Sequence, residues 1–87
     1  MKTLEDLLSS AWEEKYRGSN FFTMTDGEHD VLIGRYTGRV SVYPSKGERK
    51  DYRIYETRTR IQSDEYMALA AIHFWEEEKK RRTVENG

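Results

Sequence analysis

Arg39, Tyr43, Arg53 and Tyr55 come nearest to a recognisable chemistry in this chain of 87 residues. Arg39 and Tyr43 bound the alternating stretch RVSVY. Arg53 and Tyr55 lie in DYRIYETRTRI, which holds three arginines and two tyrosines in eleven residues. Guanidinium groups on a strand face can neutralise phosphates while phenol rings stack on bases. The same residue types are also the usual anchors of protein interfaces. They are equally ordinary on the wet side of a sheet, where tyrosine is favoured for its β propensity. The residues are therefore candidates for binding a protein or a nucleic acid, with the protein partner favoured.

Other constellations carry less. Asp26, Glu28, His29 and Asp30 have the right types for zinc or a harder ion, but their spacing fits no metal loop, so they read as a solvated turn. His73 stands among apolar neighbours and reads as a partly buried helix histidine rather than a catalytic one. There is no glycine-rich phosphate loop, no Gly-x-Ser-x-Gly and no cysteine. The expectation is a protein without catalytic activity, cofactor or metal.

Composition bounds the elements that must position these residues. Charged residues make up 36% of the chain and aromatic residues 13%, at a net charge of −1. Leu, Ile, Val and Phe are few, yet the low net charge and the aromatics argue for a folded domain with a thin aliphatic core. The charge is unevenly spread. Residues 1–30 carry 3 basic and 7 acidic side chains, residues 31–60 carry 8 and 3, and residues 61–87 carry 4 and 6. The start, MKTLEDLLSS, has acids where a signal peptide is apolar, and no apolar run is long enough to span a bilayer. These features predict a cytoplasmic protein with no membrane partner.

Residues 3–17 read as a helix, with Thr3 and Asp6 as a capping pair, a stripe of Leu4, Leu7, Leu8, Ala11 and Trp12, and Gly18 as its stop. Residues 21–61 read as β structure: FFTMT, a turn at Asp26-Gly27, VLIGRY, then RVSVY with Val40 and Val42 inward and Arg39, Ser41 and Tyr43 outward. Thr37-Gly38 closes a hairpin or passes through a bulge, the hairpin being favoured. PSKGERK is a polar loop. In the last strand Tyr52 and Ile54 are expected inward, with Arg53, Tyr55, Thr57 and Thr59 outward. That phase would bury Glu56, Arg58 and Arg60, so a bulge is expected near residues 56–59, returning Ile61 inward.

Residues 63–82 read as a second helix, N-capped by Ser63, with residues 83–87 a frayed tail to a single domain of residues 1–82. Its apolar surface, from Met67 through Trp75, is wider than one sheet covers. Leu69, Ile72 and Trp75 are therefore expected at a protein interface, with a partner or with a second copy of the chain. Beyond Trp75, Glu76 with Lys80, Glu77 with Arg81 and Glu78 with Arg82 form Glu-first pairs worth about 0.2–0.5 kcal/mol each.

The predicted fold is α+β: an N-terminal helix, a three- or four-stranded antiparallel sheet and a C-terminal helix, the helices packed on one sheet face. That α-β-β-β-α order resembles double-stranded-RNA-binding domains. The resemblance implies a basic start to the last helix, where lysines grip phosphates. Here that start reads SDEY, whose carboxylates repel phosphate. The reading that results is a small regulatory or interaction module, of inhibitor or adaptor type. It matches phage-encoded inhibitors and mobile-element regulators in style but not in family. A nucleic-acid-binding domain using the Arg/Tyr sheet face is the alternative.

Overall fold

Short stretches of alternating apolar residues, separated by glycine-containing turns, make a meander. The computed structural model of the chain describes residues 11–47 and 52–86. Within them run five strands, β1 (Glu13–Arg17), β2 (Phe21–Thr25), β3 (His29–Gly34), β4 (Arg39–Pro44) and β5 (Tyr55–Arg58), followed by one helix, α1 (Asp64–Asn86). Each strand pairs antiparallel with the next, in the order β1-β2-β3-β4-β5, so β1 and β5 are the edges.

Register puts the apolar residues on one face. Phe22 lies opposite Ile33 and Met24 opposite Val31, while Val31 in turn faces Val42 and Ile33 faces Val40. α1 lays Met67, Ala68, Ala71, Ile72 and Trp75 on this face, and Trp12 completes the core. Burial of each large apolar side chain is worth roughly 1.5–3 kcal/mol. No described helix is long and apolar enough to cross a membrane.

The start of the chain corrects the expected fold. Residues 13–17 are the edge strand β1, not the last turns of a helix. The described residues therefore hold one helix, and the sheet has five strands rather than three or four. Residues 3–10 of the expected helix lie outside the described residues. With β1 first, the described order is no longer that of a double-stranded-RNA-binding domain. Helix propensity distinguishes residues by only tenths of a kcal/mol each. Pairing with β2 instead satisfies the main-chain groups of two strands at once. The pairing slips between Glu14 and Tyr16, a bulge that accommodates Lys15 at the edge.

β5 corrects the expected phase. Tyr55 lies opposite Val42 and Thr57 opposite Val40, on the helix face, whereas Glu56 and Arg58 lie opposite Ser41 and Arg39 on the far face. The cause sits just ahead of the strand. Ile54 donates its N–H to the Val42 carbonyl at 2.8 Å, and Tyr55 also falls opposite Val42. Two residues facing one is a bulge, placed at 54–55 rather than near 56–59. This phase leaves Glu56 and Arg58 in water, where neither has to be desolvated. Tyr52 and Ile61, both expected inward, are 62% and 57% exposed, while Ile54 packs partly buried against the core.

α1 begins after Ser63, whose carbonyl accepts the Met67 N–H at 2.9 Å, and it continues beyond residue 82 to Asn86. Of the expected i,i+4 pairs, Glu78 with Arg82 forms. Glu76 pairs with Lys79 and Glu77 with Lys80, one residue closer. Arg82 also donates to the Ile54 carbonyl at 2.8 Å, which ties the far half of the helix to the start of β5.

Candidate interaction surface

The β4–β5 pairing builds a basic surface on the side of the sheet away from α1. Arg39 and Arg58 are directly opposite each other across the two strands. Gly38 sets that alignment: its φ is +72°, and its carbonyl accepts the Thr59 N–H at 2.8 Å. Like charges held opposite on a sheet repel. One carboxylate, Glu56, moderates the repulsion, taking Arg39 Nε at 3.3 Å and Arg53 Nη1 at 3.2 Å on the same oxygen. Arg58 and Arg60 are exposed and have no carboxylate partner among the described residues. The result is Arg39, Arg53 and Arg58 close to one glutamate, with Arg60 exposed just beyond the end of β5.

The structure brings together Arg39 and Arg53 but not the whole expected quartet. Tyr43 shares the far face with Arg39, half-buried and opposite Asp30. Tyr55 is on the helix face, its ring 5.7 Å from that of Trp75 and 5.9 Å from the Arg82 guanidinium carbon. No common Arg/Tyr platform forms. Ile72 and Trp75 are 0% and 2% exposed, so they belong to the core and offer nothing to a partner; Leu69 packs partly buried against the same core. The helix packs on β3 and β5, and Trp12 and the partly buried Tyr55 join Ile72 and Trp75 in the one core. Arg58 and Arg60 were not among the expected site residues. The signal for them was present: turning Tyr55 and Thr57 inward leaves Glu56 and Arg58 outside.

Several other cations are matched within the fold. Asp64, at the start of α1, accepts Arg35 Nε at 3.1 Å on both oxygens and Arg17 Nη1 at 2.6 Å. Both guanidinium groups also lie over the buried Phe22 ring, at 5.4 and 5.3 Å. Hydrogen bonds from Arg35 and Arg17 hold the Asp64 carboxyl below its ordinary value. Hydrogen bonds to Glu14 and Asp64 push Arg17 up. Around Trp75 gather His29 at 5.0 Å, Arg82 at 5.4 Å and Lys79 at 6.0 Å. Arg81 and Arg82 hydrogen-bond Glu78 and hold its carboxyl down to about 2. Burial pushes Asp30 up, but hydrogen bonds from Lys15, Thr25 and Ser45 outweigh it and keep its carboxyl low.

The turn at 26–29 has a local explanation. Asp26 Oδ1 accepts the N–H groups of Glu28 and His29 at 2.9 and 2.8 Å, and Gly27 takes a φ of +92°. Among the described residues no group of three His, Cys, Asp or Glu side chains is gathered to hold a metal ion.

No protein-family model matches the chain, and no curated protein or solved structure matches it. The functional reading therefore stands on the fold and its surface.

Proposed function

We propose that this chain is a non-enzymatic interaction module that binds another protein through the basic surface of Arg39, Arg53, Arg58 and Arg60. Such a module acts by occupying its partner, as an inhibitor or an adaptor does. The observation that carries the reading is the opposition of Arg39 and Arg58 across β4 and β5, with Glu56 as the nearby carboxylate. Arg17, Arg35 and Arg82 are each matched by a carboxylate within the fold, Arg39 and Arg53 share Glu56, and Arg58 and Arg60 have no carboxylate partner among the described residues. A surface that keeps like charges opposed is relieved when an acidic partner covers it, and arginine is a preferred hot-spot residue. The inward turn of Tyr55 weighs against a nucleic acid, because of the two expected rings it leaves only the half-buried Tyr43 on the arginine face for stacking.

Affinity capture from the source cells after nuclease treatment tests this. The wild-type chain retains a protein that the Arg39→Glu/Arg58→Glu variant loses. Retention of nucleic acid alone, lost on nuclease treatment, refutes the proposal and restores the nucleic-acid reading.

A further inference from the structure

Among the described residues β5 ends the sheet, with no strand beside the outer side of its main chain. The ladder to β4 identifies which groups are left. Thr59 donates to Gly38, and residues two apart on a strand point the same way, so Thr57 and Tyr55 also turn toward β4. Glu56 and Arg58 turn the other way, presenting two N–H donors and two carbonyl acceptors outward. Native sheets usually block such edges with a bulge or with charges. β1 carries a bulge at Lys15 within its ladder; the bulge of β5 lies at its very start, at Ile54 and Tyr55, and the register then runs unbroken from Tyr55 to Arg58. Its charges are mainly of one sign, since Arg53, Arg58 and Arg60 follow its course and Arg39 stands opposite. Exposed apolar side chains, Tyr52 and Ile61, flank it.

We propose that the partner segment is an acidic stretch of polypeptide in extended conformation, taken up as a sixth strand along β5. The inference rests on the basic-surface reading above and adds the mode of recognition. Main-chain bonds to Glu56 and Arg58 supply affinity without sequence preference, as in other strand additions. Specificity comes from alternation. On the far face the added strand runs beside Arg58 and Glu56 of β5, with Arg39 one strand further in, so its residue opposite Arg58 is acidic, while those that lie beside Tyr55 and Thr57 are apolar or β-branched. A nucleic acid would use the arginines but has no ladder to offer the outward N–H groups.

Selection from a displayed library of random dodecapeptides against the full chain supplies the probe, followed by titration and amide exchange. The recovered peptides alternate Asp or Glu with apolar residues, protect the amides of Glu56 and Arg58, and lose affinity when Arg58 is changed to Glu. Two substitutions at one position separate strand pairing from charge. Glu56→Gln removes a carboxylate that competes for Arg39 and Arg53, and tightens an acidic peptide by about two- to fivefold. Glu56→Pro removes the same carboxylate and also the outward N–H, while proline on the open side of an edge strand spares the ladder to β4. It weakens binding by at least about tenfold relative to Glu56→Gln. Circular dichroism checks that the proline variant is folded; where it is not, amide exchange of the wild type decides. An empty selection, or peptides without acidic residues, overturns the proposal. Acidic peptides that need Arg58 but leave both amides exchanging freely overturn strand addition and leave the basic surface standing.

Discussion

Gly38→Ala is the sharpest probe of how the turn and β5 fit together. A Cβ built on Gly38 stands 2.3 Å from the Thr59 carbonyl oxygen, against an ordinary contact of 3.4 Å or more, and the atom it meets is backbone. The φ of +72° adds its own penalty. Gly27 supplies the control: its φ is +92°, but a Cβ there meets nothing within 4 Å. A non-glycine residue in this region costs about 1–2 kcal/mol, partly offset by roughly 0.4–1 kcal/mol from the stiffer unfolded chain. That net cost of roughly 0–1.6 kcal/mol is common to both variants. At Gly38 the strand must also move by about 1 Å, adding about 1–3 kcal/mol for overpacking and about 0.5–1.5 kcal/mol for the weakened Thr59 to Gly38 bond. Gly38→Ala is therefore expected to lose about 2–4 kcal/mol more than Gly27→Ala in urea unfolding at equal slope. In a domain of this size that difference separates the melting temperatures by roughly 10–25 °C. Equal losses in the two variants would refute the close approach of residue 59 to the turn, and with it the alignment of Arg39 and Arg58.

Acidification should destabilise the chain. The native Glu78 carboxyl is held at about 2 against an ordinary 4.5, and that of Asp64 is also held low. Both therefore favour the folded state above their unfolded values and lose that contribution as pH falls through the native ones, so urea midpoints should drop between pH 4.5 and about 2; a rise there contradicts the two arginine networks. Asp64→Asn deprives Arg17 and Arg35 of their shared carboxylate and should lower stability by about 1–2 kcal/mol, reduced from a buried-pair loss because solvent still reaches Asp64. An unchanged urea midpoint would show that the tie between β1, the 35–38 turn and α1 contributes nothing. Sedimentation equilibrium should give a monomer, since Ile72 and Trp75 are in the core; a dimer whose interface contains either residue would require α1 to leave the sheet.

Much of the frame was legible locally. The run from Met67 to Trp75 recurs at helical spacing, and the helix lies where that spacing puts it. Val40 and Val42 alternate with polar neighbours and are buried. Asp26-Gly27 makes its turn with a side-chain oxygen only two residues from the N–H it binds. Each of these depends on contacts within a few residues or on a period the backbone imposes. EEKYR is different. Its strand state exists because β2 offers a free edge, and no period within five mostly charged residues distinguishes it from a helix tail.

Local pattern alone dictates a helix built around Met67, Ala71 and Trp75, hairpin strands before it, and a positive charge concentrated in residues 31–60. Tertiary structure decided which of those charges face one another and which residues are covered. The phase of β5 depends on a two-for-one pairing of Ile54 and Tyr55 against Val42, a contact with a residue twelve positions away. The burial of Ile72 and Trp75 depends on the β3 and β5 residues and the Trp12 ring packed against α1, which no property of the helix encodes. Arg35 and Arg58 are alike as residues. One is matched because α1 starts with Asp64 beside it, and the other is left facing Arg39 because a glycine turn holds β4 and β5 in register.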